Sequence, residues 1–412
     1  MDAVSARRVV DRAMQLPISE AFTGRPIHVV AVGKAGAAMA AAFLKVPGLA
    51  VRSALAIGTH VHADLPASVE WIESSHPFPD ARSERAADRA TAIAQRAHSG
   101  DALVILLSGG ASALMAAPID GLTLADKIAT TRLMMESGAD IHALNTVRRH
   151  LSNVKGGRLA AACVGTTVTL AISDVVGDDL NAIGSGPGVP DATTWADAAA
   201  ALERFGGDVH LPEVRHIVAR GVAGQIPDTP KAGSGALKRA QAAVIGSRSD
   251  AMDGARQAAL ERGYHTVLIA NPVVGEAREV APRWLTRARE LVRDARRPVC
   301  VISSGETTVR VTGKGKGGRN LEFALAVADA MASPTPAALA SVGTDGIDGS
   351  SGVAGAIVDS STMVRASALS LDRPGSYLAA NDSLAFFAAL DDTVRLGRTD
   401  TNVGDLQVLL ID

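Results

Sequence analysis

The sequence predicts a two-domain α/β protein built on a mainly parallel sheet. Short apolar runs ending in Gly or a polar turn recur along the chain, each followed by a stretch of helical periodicity, as in βαβ units. The length, 412 residues, exceeds twice a typical domain of about 150. Gly accounts for 40 residues, many clustered between apolar runs, where backbones must approach closely.

The elements follow in order. IHVVAVG (27–33) reads as a buried strand before the helical stretch KAGAAMAAAFL. ALVILLSGG (102–110) is a second strand, leading into ASALMAAP, and TTVTLAISD (166–174) a third, leading into VVGDDLNAIGSGPG. Periodicity predicts helices at ARSERAADRATAIAQRAHS and LADKIATTRLMMESGA. From 191 to 235 the pattern weakens: PDATTWADAAAALERFGG reads as one helix and PDTPKAGSGAL as a linker. A second alternation then begins. QAAVIGS, YHTVLIAN and PVCVISSGETTV are its strands, separated by the helices DAMDGARQAALERG and EAREVAPRWLTRARELVRDA. GKGKGGRN is glycine-rich, and LEFALAVADAMA restarts a helix. The boundary is expected near residue 235, giving domains 1–235 and 236–412.

Composition narrows the function classes. Lys+Arg at 41 against Asp+Glu at 43 gives a net charge of −2, which argues against a nucleic-acid binder. Two Cys, Cys163 and Cys300, support neither a disulfide framework nor a Cys-based zinc site. No apolar stretch is long enough to span a membrane, and the N-terminus lacks the layout of a signal peptide. A cytoplasmic protein with a small-molecule partner is expected. The chain carries no P-loop, no G-x-G-x-x-G after a strand, no H-E-x-x-H, no G-x-S-x-G and no H-R-D with D-F-G.

Several motifs carry chemistry. Ser108-Gly109-Gly110-Ala111-Ser112 ends a strand and opens a helix, a place where backbone N–H groups and hydroxyls converge on an anion; the alternative is a plain tight turn. Ser173-Asp174 with Asp178 and Asp179 puts carboxylates at a strand end, fitted to Mg²⁺ or to a hydroxyl proton. Asp174 is favoured for function; Asp178 and Asp179 equally suit an acidic turn that caps the next helix. Ser185-Gly186 lies in a compact loop suited to phosphate or to a structural turn. Arg148 and Lys155, in NTVRRH and KGGR, have the reach to bind an anionic substrate, although a solvated basic helix face is the commoner meaning of such a run. Glu306 sits in Ser304-Gly305-Glu306-Thr307, ahead of the glycine loop 313–318. Arg319 ends that loop, where a guanidinium can swing onto phosphate or carboxylate, and the glycine density favours a ligand loop. Asp345 and Asp348, separated by glycine, fit either a divalent cation or a pair of Asx turns. Lys34 follows the first strand at the edge where α/β sheets bind ligands, and His76 opens the rigid turn HPFPD.

Taken in order, VGKAGAAMA, HPFPD, LLSGGASALMAAP, NTVRRHLSNVKGGRLA, ISDVVGDDLNAIGSGPGVPD, SSGETTVRVTGKGKGGRN, GTDGIDGSSGVAGAIVD and TNVGDL resemble the glycerate kinases of the second type, whose C-terminal half is the MOFRL domain. The resemblance implies a Rossmann-like N-terminal domain, a smaller α/β C-terminal domain, and an active site in the cleft between them. It implies ATP-dependent phosphorylation of D-glycerate, with 2-phosphoglycerate the usual bacterial product. Lys34 and Arg319 match the Lys and Arg that the family places in the cleft. In this reading Ser108–Ser112 with Ser185 and Gly186 take the ATP phosphates, and Arg148, Lys155 and Glu306 take the substrate. Asp174 takes the hydroxyl proton, and Asp174 or Asp345 lies near Mg²⁺. The chain departs from the family pattern at Ser304 and at 350–352, where Ser-Ser-Gly replaces the usual Pro-Thr-Asp. Three alternatives stand beside this reading: a kinase of a related sugar acid, an NAD(P)-dependent hydroxypyruvate reductase, and a non-catalytic sugar-acid sensor. The missing dinucleotide fingerprint argues against the reductase. A homo-oligomer is left open.

Overall fold

The structure is a computed structural model describing residues 1–412. The chain divides into two compact units. The first comprises residues 6–173 and 177–245; the second comprises 1–5, 174–176 and 246–412. The main crossover thus falls after residue 245, ten residues beyond the expected boundary. The reason is the strand QAAVIGS. It does not open the second domain but closes the sheet of the first.

That sheet has six strands: β1 (Pro26–Val32), β2 (Ala50–Gly58), β3 (Glu70–Glu73), β4 (Ala102–Leu107), β5 (Thr166–Ile172) and β6 (Ala240–Gly246). They lie in the order β3-β2-β1-β4-β5-β6, and the pairings from β3 through β5 are parallel. This is the order of the doubly wound nucleotide-binding fold, whose strand order reverses between β1 and β4. Every residue of β4 and β5 is buried, as expected of central strands covered on both faces. The periodic stretches form the helices Ala81–Arg96 and Leu124–Glu136, each opened by a capping box, at Asp80 and Thr123. Between 191 and 235 the chain forms two helices, Trp195–Arg204 and Pro212–Val222, where one was expected. The second starts on Pro212, a residue well suited to the first helical position.

The second unit holds β7 (His265–Glu276), β8 (Val299–Thr308), β9 (Ala337–Gly343), β10 (Gly355–Asp359), β11 (Thr393–Val394) and β12 (Asp405–Ile411). Their order is β11-β10-β9-β12-β8-β7. This second sheet is mixed: only β7 and β8 pair in parallel. The β9–β10 connection, 344–354, contains no helix, and a short helix-free link returns the strand antiparallel. Trp284, Phe323, Phe386 and Phe387 lie in the core against the inner face of this sheet. No helix is long and apolar enough to cross a membrane.

Candidate active site

In the first unit the turns after β1 and β4 meet at the point where strand order reverses. Gly33 has φ +130°, and a Cβ there would lie 2.1 Å from Ser108 Oγ. Only glycine allows that approach. The amides of the β1 turn are all spent: Lys34 N–H donates to Gly109 O (2.8 Å), Ala35 N–H to Ser108 Oγ (3.0 Å) and Gly36 N–H to Gly33 O (3.0 Å). A dinucleotide fold leaves such amides for pyrophosphate; this turn does not offer them. The N–H groups of Gly109 and Gly110, by contrast, meet no protein acceptor.

The Ser108–Ser112 loop is braced from behind. Ser112 Oγ lies 3.0 Å from Ser185 Oγ, which donates to Asn145 Oδ1 at 3.1 Å. Ser185 is fully buried, and Gly186 O accepts from Gly157 N–H at 2.7 Å. Of the two readings of that compact loop, the geometry matches the structural one. Asp179 Oδ1 likewise accepts the Asn181 amide (2.9 Å), a local turn.

Beside the loop opens a cavity of about 620 Å³, lined in part by His76, Phe78, Gly110, Lys127, Arg148 and Lys155. NTVRRH is not a solvated basic face. Arg149 is buried on Asp191 (3.0 Å), His150 on Asp228 (2.9 Å), and Arg148 turns into the cavity without a hydrogen-bond partner. Lys155, 1 % exposed, donates to the carbonyls of Ser112 (2.8 Å) and Met115 (3.1 Å). Lys127, which the sequence reading passed over, is 6 % exposed, and its Nζ has no partner. Burial, and then the Arg148 charge, pulls the Lys127 amine down to about 7; burial, Lys127 and Arg148 hold Lys155 well below the usual lysine range. His76 packs over Gly110, and burial followed by the Lys34 charge lowers its imidazole. Lys34, the loop 108–112, Arg148, Lys155 and His76 are therefore brought together as the sequence suggested, with Lys127 added. The signal for Lys127 was its helical spacing: with Thr130 and Met134 it lies on the buried face of its helix.

In the second unit Arg319 opens the helix Arg319–Ala326. Its Nε donates to Asp405 Oδ1 (2.9 Å) and its Nη1 to Glu306 Oε1 (2.9 Å). Burial works against its charge, but Asp405 and Glu306 outweigh it and raise its pKa. The guanidinium is thus held rather than swinging. Asp405, fully buried, also accepts from Asn320 Nδ2 at 2.9 Å. Asp348 caps the same helix from another loop: Oδ1 accepts Asn320 N–H (3.1 Å) and Oδ2 Leu321 N–H (2.9 Å). Burial raises its carboxyl to about 6 against the pull of those amides. Asp345 Oδ1 accepts the Ile347 amide (3.2 Å), an Asx turn. The two aspartates of GTDGIDG thus have separate local jobs.

The glycine loop has a packing reason. A Cβ at Gly313, Gly315, Gly317 or Gly318 would come within 2.0 Å of Ala380 O, 2.3 Å of Asp382 Cβ, 2.3 Å of Ser383 Oγ or 2.3 Å of Asp348 Cγ respectively. The density read as a ligand loop is what lets this segment lie against 380–383 and the cap. Asp174 Oδ2 accepts from Asn402 Nδ2 (2.9 Å), so the motif TNVGDL supplies both this contact and Asp405. Sequence reading assigned neither residue a role.

Nowhere do three His, Cys, Asp or Glu side chains gather as a metal cage. Mg²⁺ on a nucleotide needs only one or two carboxylates besides phosphate oxygens. Asp174 and Asp345, each just past a strand end, fit that donor set. The unspent Gly109 and Gly110 amides fit phosphate oxygens, and the buried cations beside them fit an anionic ligand.

Residues 1–219 match a domain of unknown function, DUF4147, and residues 299–405 match the MOFRL family. D-glycerate 2-kinase of Thermotoga maritima is 36% identical over 97% of this chain and 94% of its own length. A protein of Agrobacterium vitis, provisionally named a hydroxypyruvate reductase, is 39% identical over 99% of this chain and 95% of its own. The crystal structure of a Thermotoga maritima glycerate kinase superposes with a TM-score of 0.88 at 35% identity, covering 100% of this chain and 96% of that one. The chain belongs to the MOFRL-domain glycerate kinase family.

Proposed function

We propose that the protein is an ATP- and Mg²⁺-dependent kinase of D-glycerate that phosphorylates the 2-hydroxyl to give 2-phospho-D-glycerate. The observation that carries this is the cluster of buried cations beside a strand-end loop with unspent amides. Both substrates of the reaction are anions, and phosphoryl transfer asks a protein mainly for positioning and charge neutralisation.

In this reading ATP is the phosphoryl donor, and Asp174 or Asp345 would hold Mg²⁺, which would supply charge neutralisation. The Ser108–Ser112 loop receives phosphate oxygens on its backbone amides, with Ser185 and Gly186 bracing it. Arg148 and Lys155 orient the acceptor's carboxylate. Lys34 and Arg319 are the cations this reading assigns to the charge that develops on the transferring group. Glu306 and Asp405 hold the Arg319 plane. Asp174, oriented by Asn402, takes the proton from the attacking hydroxyl.

The reductase alternative finds no support in the spent amides of the β1 turn. A cavity of about 620 Å³ is in the range of drug-sized ligands and exceeds a three-carbon acid, which favours acceptance of longer hydroxy acids as a second reading. The test is ADP release with D-glycerate, ATP and Mg²⁺, followed by ³¹P NMR of the product. A secondary phosphate ester at C2 is expected. An ester at C3 keeps the kinase and changes its product; no turnover with any of a panel of hydroxy acids removes the proposal.

A further inference from the structure

The helix Leu124–Glu136 turns Lys127 inward, where its ammonium has no hydrogen-bond partner. The charged groups around it are mostly of its own sign. Arg148 faces it from the helix Ile141–His150 and Lys155 from the segment that follows. His76 joins the lining from the HPFPD turn, and Arg132 and Glu136 from the end of its own helix. Glu136 is the lining's only carboxylate, and it is exposed. A buried cation left this way costs free energy that a ligand's negative charge would offset.

A nucleotide polyphosphate is a poor candidate for that charge. It arrives with a hydrated divalent ion, which calls for carboxylates and water. Around Lys127 the lining is largely apolar, with Phe78, Ile128 and Met135. A lone carboxylate on a short carbon chain suits both features. We propose that Lys127 is the inner anchor for the carboxylate of the hydroxy-acid acceptor. This rests on reading the cavity as the acceptor site.

One consequence separates this from a merely structural lysine. Near neutral pH the empty cavity holds Lys127 partly deprotonated, so acid binding draws a proton from solvent onto its Nζ. No covalent bond changes; one proton moves from buffer to amine.

The experiment is calorimetric titration of the full chain with D-glycerate, without nucleotide, at pH 7.5 in two buffers of different ionisation enthalpy. Wild type is expected to bind with uptake of a fraction of a proton. Lys127→Met, similar in length and apolar, should weaken D-glycerate at least about tenfold, abolish the uptake and leave ATP affinity unchanged. Lys127→Arg, permanently charged, should retain affinity without proton uptake. Unchanged D-glycerate affinity in Lys127→Met, loss of ATP affinity instead, or wild-type binding without uptake would each overturn the proposal. Proton-linked, Lys127-dependent binding without turnover would sink the kinase reading and leave this one standing.

Discussion

In the first unit Lys127, Arg148 and Lys155 line one cavity with no carboxylate bonded to any of them. In the second, Arg319 lies between Glu306 and Asp405, 2.9 Å from each. Both arrangements bury positive charge beside loops that the sequence marks. The first leaves its charge without a carboxylate partner, which suits it to an anionic ligand. The second answers its charge from within the protein, fixing the guanidinium plane so that Nη2, which meets no protein acceptor, keeps one direction. A cation awaiting its counterion binds; a cation already paired orients.

The sharpest way to break this comparison is to remove the cation proposed for each unit's share of the chemistry. Lys34→Ala and Arg319→Ala are each expected to lower kcat by about two orders of magnitude or more, with circular dichroism unchanged. Near-normal kcat in either variant would take that residue out of the mechanism. A smaller effect is expected from Gly318→Ala. Its Cβ would fall 2.3 Å from Asp348 Cγ, displacing the carboxylate that caps the Arg319 helix. A loss of about 1–3 kcal/mol in urea unfolding is expected; a wild-type midpoint would show that the cap yields without cost.

A pH series sharpens the comparison by sign. Lys127 sits at about 7 when folded, below its ordinary 10.5, so between those values the unfolded chain binds more protons. Its term therefore raises stability as pH rises through that window. Asp348 sits at about 6, above its ordinary 3.8, so the folded chain binds more protons between them. Its term lowers stability as pH rises from 4 to 6. Denaturation midpoints of wild type and Lys127→Met across pH 6–10 should diverge, with the variant's profile flatter. Parallel profiles would mean that Lys127 is charged in the folded protein.

Sequence reading served the central strands well because β1 and β4 are nearly unbroken apolar runs and β5 is rich in β-branched residues, both local properties. It singled out Lys34, Arg148, Lys155 and the loop 108–112, which the structure sets near one another, because each stands in a motif beside a strand or helix end. It missed what depends on distance along the chain. Asp405 lies 86 positions from Arg319, and nothing local announces the pair. Four glycines before Arg319 looked like a ligand cradle, because the cap and the 380–383 segment they accommodate are remote. The strand β6 was placed in the wrong domain for the same kind of reason: its composition predicts a strand but not a neighbour.

The path of the chain bears on how the protein can be taken apart. Residues 1–5 and 174–176 group with the second unit, although both segments are flanked by residues of the first. Thr401 Oγ1 donates to Val4 O at 2.7 Å, so residues 1–5 belong to a body whose strands all lie within 265–411. A single scission at 235 would strip β6 from the first sheet and leave the β5 edge bare, an invitation to strand-to-strand aggregation. The same cut would deny the C-terminal piece both its N-terminal tail and Asp174. Split halves of this enzyme are therefore expected to fail as autonomous parts, and an engineered permutation would do better to open a surface loop than to follow the domain boundary.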